Sequence, residues 1–230
     1  MILLLLTPAL LFIAFLLLLL ISLSVPIIKT IYLFRLATSA TSDLLRSGAS
    51  GAVDFGVWGY CADAIAVSVF GFDRDASAQC SDRHLGYGFD STVARILRVE
   101  DFNDIITKTT TAALVLHPIA CGLTFLTLLV SLFMLRRGSN GTSRFPSLLT
   151  LGIGILTALL TTIVFLIDVI FVAVIRGRVN DRTDGEVTLG YGNAVWMALG
   201  AALAIWLAMV GACGGVCACG SRRFRKSERY

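Results

Sequence analysis

The sequence predicts an all-α membrane protein, a four-transmembrane-helix bundle with a small disulfide-stapled β-containing loop outside the bilayer. Three observations predict it. Four long apolar stretches recur along the chain, one large polar segment follows the first of them, and that segment holds one pair of cysteines. Of the 230 residues, 57% are hydrophobic and only 15% are charged, which excludes a disordered or fibrous chain.

The apolar stretches are Ile2–Ile28, Thr111–Leu135, Phe145–Ile175 and Val187–Val216. Each exceeds the roughly 20 residues needed to cross a hydrocarbon core. A helix that is apolar all round has no face for water. Together the four stretches carry one acid, Asp168, and one histidine, His117. The expected first span is residues 2–28, ended by Pro26, which lacks a backbone donor and clashes with the preceding turn. Ser22-Leu23-Ser24 resembles a signal cleavage site. The apolar run is nevertheless longer than the ~7–15 residues of a signal core, and no Lys or Arg precedes it, so a retained span is expected.

The segment Lys29–Thr110 has eight bases and ten acids, an ordinary solvated balance. Ala37–Gly51 is rich in Ser, Thr and Gly and reads as loop. Asp54–Cys61 and Ala66–Phe70 read as short strands, Asp73–Ser77 as a turn, and His84–Phe89 as a further strand. A two-stranded hairpin alone is marginal, so three or more strands are expected. Apolar residues at helical spacing predict an amphipathic helix over Ser91–Lys108. Cys61 and Cys80 are the only cysteines in this segment, and an oxidising compartment would join them. His84, the one loop histidine, reads as solvated, with sensing of external pH as the alternative.

The second span, 111–135, carries His117 and Cys121, the latter read as a small buried hydrophobe. The short connection 136–144 holds Arg136, Arg137 and Arg144 and no acid. The third span, 145–175, carries Asp168. An intramembrane carboxylate is costly and normally faces the bundle interior with a partner. Counted from the outer ends of their spans, His117 and Asp168 differ in depth by only about 3 Å. They are expected to meet. Two readings stay open for the pair: a clasp that fixes helix register, and a pH-responsive pair.

The loop 176–186 has three bases and three acids. The fourth span, 187–216, has small residues in two rows, Ala194, Ala198 and Ala202, then Gly200, Ala204, Ala208 and Ala212. Such rows let helices approach closely, within the bundle or, alternatively, between two copies of the chain. The tail 217–230 is basic. Cys213, Cys217 and Cys219 lie where the span meets it, as candidates for palmitoylation. Short basic loops stay in the cytoplasm, so both termini are placed there and the long loop outside. Asn140-Gly141-Thr142 matches the glycosylation sequon but would then be cytoplasmic and unmodified.

Gly56-Val57-Trp58-Gly59-Tyr60-Cys61, the later Cys80 and Leu85-Gly86-Tyr87 resemble the fungal PalI/Sur family of membrane proteins. Tyr191–Ala204, followed by the cysteine cluster, is similar to the PalI branch in particular, and Val25–Phe34 also fits. The resemblance covers essentially the whole chain. It implies a claudin-like tetraspan fold, in which Gly56, Trp58, Gly59, Gly86 and Tyr87 belong to a structural motif organised with Cys61 and Cys80. It also implies a non-catalytic accessory protein of the plasma membrane that assists a multispan receptor in ambient-pH signalling. The alternative it implies is an organiser of membrane domains (eisosomes), cell wall and endocytic sites. Expected partners are the lipid bilayer and a membrane protein, either the pH-sensing receptor or eisosome components. No hydrolase, zinc-protease, phosphate-loop or paired CxxC motif occurs, so no enzyme activity, cofactor, metal, nucleic acid or small-molecule substrate is expected.

Overall fold

The computed structural model describes residues 2–42, 47–62, 65–69, 72–76, 79–81, 103–137, 145–183 and 187–227. It is mostly helical, with a small antiparallel sheet. In chain order the elements are α1 (Ile2–Ser22), β1 (Phe34–Ser42), β2 (Ser47–Phe55), β3 (Tyr60–Ala62), β4 (Ile65–Val69), β5 (Phe72–Ala76) and β6 (Gln79–Cys80). These are followed by α2 (Asn103–Arg137), α3 (Phe145–Thr183), β7 (Val187–Tyr191) and α4 (Asn193–Ser227). Among the described residues, three helices are long and apolar enough to cross a membrane, over Leu114–Phe133, Leu151–Gly177 and Asn193–Cys213. In α1 the apolar stretch Leu6–Ser22 is shorter than these three.

The chain forms two compact units. One comprises Met1–Leu19, Pro118–Ile163 and Ala198–Tyr230. Leu11, Leu128, Ala208 and Met209 pack together in it, with Leu10 against them. Phe15 and Phe125 meet at 5.2 Å. A side chain on Gly154 would collide with the Met209 thioether, so close packing there requires glycine. Ala198, Ala202, Ala204 and Ala208 are buried, as close helix packing demands of small residues. Polar side chains in this unit find partners on their own helix or the next. Thr127 and Thr157 hydroxyls lie 3.1 Å apart, and the Trp206 indole donates to Thr162 Oγ1 at 3.1 Å.

The other unit comprises Leu20–His117 and Val164–Met197 and carries the sheet. The strand order is β5-β4-β2-β1-β7, with β3 also on β2 and β6 on β3. Phe34 stacks on Phe55 at 4.6 Å and reaches Phe171 of α3 at 5.7 Å. Arg35 and Asp54, opposite each other on β1 and β2, form an ion pair at 3.1 Å.

Six sequence expectations are corrected. Asp54–Cys61 is not one strand, because the turn Gly56–Gly59 separates the end of β2 from the start of β3. Most of the loop expected over 176–186 is helix, because α3 continues to Thr183. Ala37–Gly51 is not loop, because β1 and β2 run through most of it. Its small residues carry little strand signal, but Phe34↔Phe55, Arg35↔Asp54 and Leu36↔Val53 set a register that the rest follows. Asp73–Ser77 is not a turn, because strand β5 covers Phe72–Ala76. It lies at the end of the strand order, where charged residues are tolerated. Val187–Tyr191 does not begin the fourth helix but forms β7, paired with β1. Val187 and Thr188 favour strand, and Gly190 and Gly192 disfavour helix. The first helix stops at Ser22, short of Ile28. Its last turn tightens through Leu23 and Ser24, and Pro26 then excludes helical geometry at the residue before it. The expected strand His84–Phe89, most of the expected helix Ser91–Lys108, His84, Gly86, Tyr87 and the sequon at Asn140 lie outside the described residues.

Candidate functional site

The last carbonyls of a helix have no partner within it. In α1 the last three, on Leu20, Ile21 and Ser22, are taken up. Leu23 N–H donates to Leu20 O at 3.2 Å and Ser24 N–H to Ile21 O at 3.0 Å. The Ser22 carbonyl accepts from the Trp58 indole nitrogen at 2.5 Å. The Val57 amide donates to Ser24 Oγ at 2.9 Å, and the Trp58 amide to Val25 O at 3.3 Å. The turn Gly56–Gly59 is closed by Gly56 N–H donating to Gly59 O at 2.8 Å. Both glycines are required by geometry. A Cβ on Gly56 would lie 2.4 Å from the Val25 carbonyl oxygen, and Gly59 has φ 154°, a region that L side chains rarely adopt. The motif at Gly56–Tyr60 therefore caps and grips the end of the first helix.

A second motif grips the same connector from its other end. Gly192 N–H donates to Leu33 O at 2.8 Å and Ala194 N–H to Tyr32 O at 3.1 Å. The Asn193 side chain accepts from Tyr32 N–H at 3.0 Å and donates to Thr30 O at 2.6 Å. A Cβ on Gly192 would fall 2.0 Å from Tyr32 O. Asn193 was missed by sequence reasoning, because a side chain holding a loop 161 residues away leaves no local signature.

Cys61 and Cys80 are joined by a disulfide, directly opposite each other on β3 and β6. Ser81 extends the link, its amide donating to Tyr60 O and its hydroxyl accepting from Tyr60 N–H. β6 is only two residues long. The covalent bond and these contacts hold it.

His117 of α2 and Asp168 of α3 lie within the sheet-bearing unit. His117 Nε2 is 3.1 Å from Asp168 Oδ2, and the imidazole is fully buried. A neutral imidazole presents one donor and one acceptor. With Nε2 protonated, it donates to the carboxylate. Nδ1 has no hydrogen-bond partner among the described residues. The pair joins two candidate spans at one level. Cys121 is buried and Cys213 exposed. The side chains of Cys217 and Cys219 lie outside the described residues. Among the described residues, no group of three or more His, Cys, Asp or Glu could hold a metal ion.

No curated protein matches the chain. The model of the SUR7/PalI family matches residues 1–208, which include α1, all seven strands, α2, α3 and most of the apolar part of α4. Its range takes in the capping turn at Gly56–Gly59, the Cys61–Cys80 staple and the His117–Asp168 pair. The chain belongs to the SUR7/PalI family.

Proposed function

We propose that the protein is a non-catalytic, four-span accessory subunit of the plasma membrane, with both termini cytoplasmic, that assists a multispan receptor in ambient-pH signalling. Family membership supports a PalI- or Sur-type role. What favours the PalI branch is the segment Tyr191–Ala204, which resembles that branch and whose Tyr191-Gly192-Asn193 portion ties α4 to the connector after α1. An apolar α1 beside three longer candidate spans supports the four-span count. The basic pieces Arg136–Arg144 and Arg222–Arg229 support a cytoplasmic tail. Acylation of Cys213, Cys217 or Cys219 would add lipid anchorage beside that tail.

The test is affinity purification of the tagged protein from membranes at neutral and alkaline pH, with mass spectrometry of its companions. A multispan receptor of the pH response is the expected companion. Eisosome or cell-wall proteins without that receptor would overturn the reading in favour of a membrane-domain organiser.

A further inference from the structure

Non-helical backbone is excluded from hydrocarbon unless its polar groups are satisfied within the protein. The connector after α1 meets that condition for all of its amides and most of its carbonyls. Leu23–Ile28 is non-helical, and five of its six residues are apolar. Every amide it has is used. Leu23 and Ser24 bond back to α1, Val25 N–H donates to Ile31 O, Ile27 N–H to Ser24 O and Ile28 N–H to Leu23 O. Pro26 has no N–H. The Val25 carbonyl accepts from Trp58 N–H, the Ile28 carbonyl from Ile31 N–H, and the only side-chain hydroxyl, on Ser24, accepts from Val57 N–H.

The connector's surface is apolar. Leu23 and Ile27 are 37% and 42% exposed, while Ser24 and Val25 are fully buried. All its amides and four of its six carbonyls, those of Leu23, Ser24, Val25 and Ile28, are thus bonded within the protein, and apolar side chains are turned outward. Lys29 and Thr30 follow at once, both exposed. A lysine there lays its stem on apolar surface and its ammonium at the phosphates. α4 starts at the same level, since Asn193 and Ala194 bond to Thr30 and Tyr32. In its first turn Trp196 is 65% exposed, a residue type that favours the membrane–water boundary.

We infer that Leu23–Ile28 is a bilayer-embedded collar, a non-helical end to the first membrane segment, with Lys29 and Trp196 at the headgroup level. Its partner is the lipid itself. The collar rests on the proposal that α1 spans the membrane. Single cysteines at Ile13, Leu23, Ile27 and Thr30 in the full chain test it. They are treated with a membrane-impermeant maleimide in vesicles opened to both faces, and the parent protein's own labelling is subtracted. An intact Cys61–Cys80 disulfide shows that each variant is folded. Thr30→Cys should label readily, and Leu23→Cys, Ile27→Cys and Ile13→Cys at least about tenfold more slowly until detergent is added. Labelling of Leu23→Cys and Ile27→Cys at the Thr30→Cys rate, with Ile13→Cys protected, overturns the collar while leaving α1 as a span. Labelling of Ile13→Cys at that same rate overturns the span itself, and the collar with it. Should Ile27→Cys fail to fold, Leu23→Cys decides by the same comparison.

Discussion

Replacing Asp168 by leucine should destabilise the protein through His117. That imidazole already has one ring nitrogen without a partner, and the substitution removes the partner of the other. An orphaned buried polar group costs about 1–3 kcal/mol. The reverse change, His117→Leu, strands a buried carboxyl group and should cost more, about 3–5 kcal/mol where the charge stays uncompensated. The double variant His117→Leu/Asp168→Leu removes both polar groups together. It should be more stable than the sum of the single changes implies. Hydrogen bonds between membrane helices couple by about 0.6 kcal/mol on average and by up to about 1.7 kcal/mol. Full burial of the imidazole and the 3.1 Å separation place this pair toward the upper end, at about 1–1.7 kcal/mol. The assay is SDS-driven unfolding in mixed micelles, followed by circular dichroism for the parent, both singles and the double. Additivity within about 0.5 kcal/mol would refute the clasp. Asp168→Asn retains an oxygen that accepts from Nε2 and should recover most of the loss.

Loss of the disulfide in Cys61→Ser/Cys80→Ser should cost about 3 kcal/mol for a closed loop of about 20 residues, read as a fall in unfolding midpoint under non-reducing conditions. Gly56→Ala should sharply reduce folded protein in the membrane, since its Cβ would meet Val25 backbone. Gly152→Ala, with nothing within 4 Å of its Cβ, should be neutral or stabilise α3 by up to about 1 kcal/mol, and equal effects at the two sites would contradict the close approach. Thr162→Val removes the acceptor of the Trp206 indole and should cost about 0.6 kcal/mol in the same micelle assay. On the proposed role in pH signalling, and with the pair acting as a clasp, an Asp168→Asn protein that reaches the membrane should support a normal ambient-pH response in a growth assay. Loss of that response would assign the pair a signalling role.

How far the sequence could be read depended on the range of the interaction. The apolar helices follow from transfer of side chains out of water, which adds up residue by residue along one segment. His117 and Asp168 stand out for the same reason, as the sole histidine and acid within the apolar stretches. Cys61 and Cys80 stand out as the only cysteines in their segment. Strand pairing is another matter, because a strand's preference depends on what lies across from it. β1 and β2 look like loop until Phe34 meets Phe55, and β7 looks like helix until Val187–Tyr191 finds β1 some 150 residues earlier.

By itself, therefore, the sequence determined the helical membrane class, the cysteine pair and the two buried polar residues, all set by local composition. Only the tertiary structure decided what the motifs do. Trp58 caps α1 by donating to the Ser22 carbonyl, and Asn193 fastens α4 to Thr30 and Tyr32. In both cases backbone groups take their partner from a side chain far away in the sequence, and no pattern of neighbouring residues encodes a bond whose two ends are brought together only by folding.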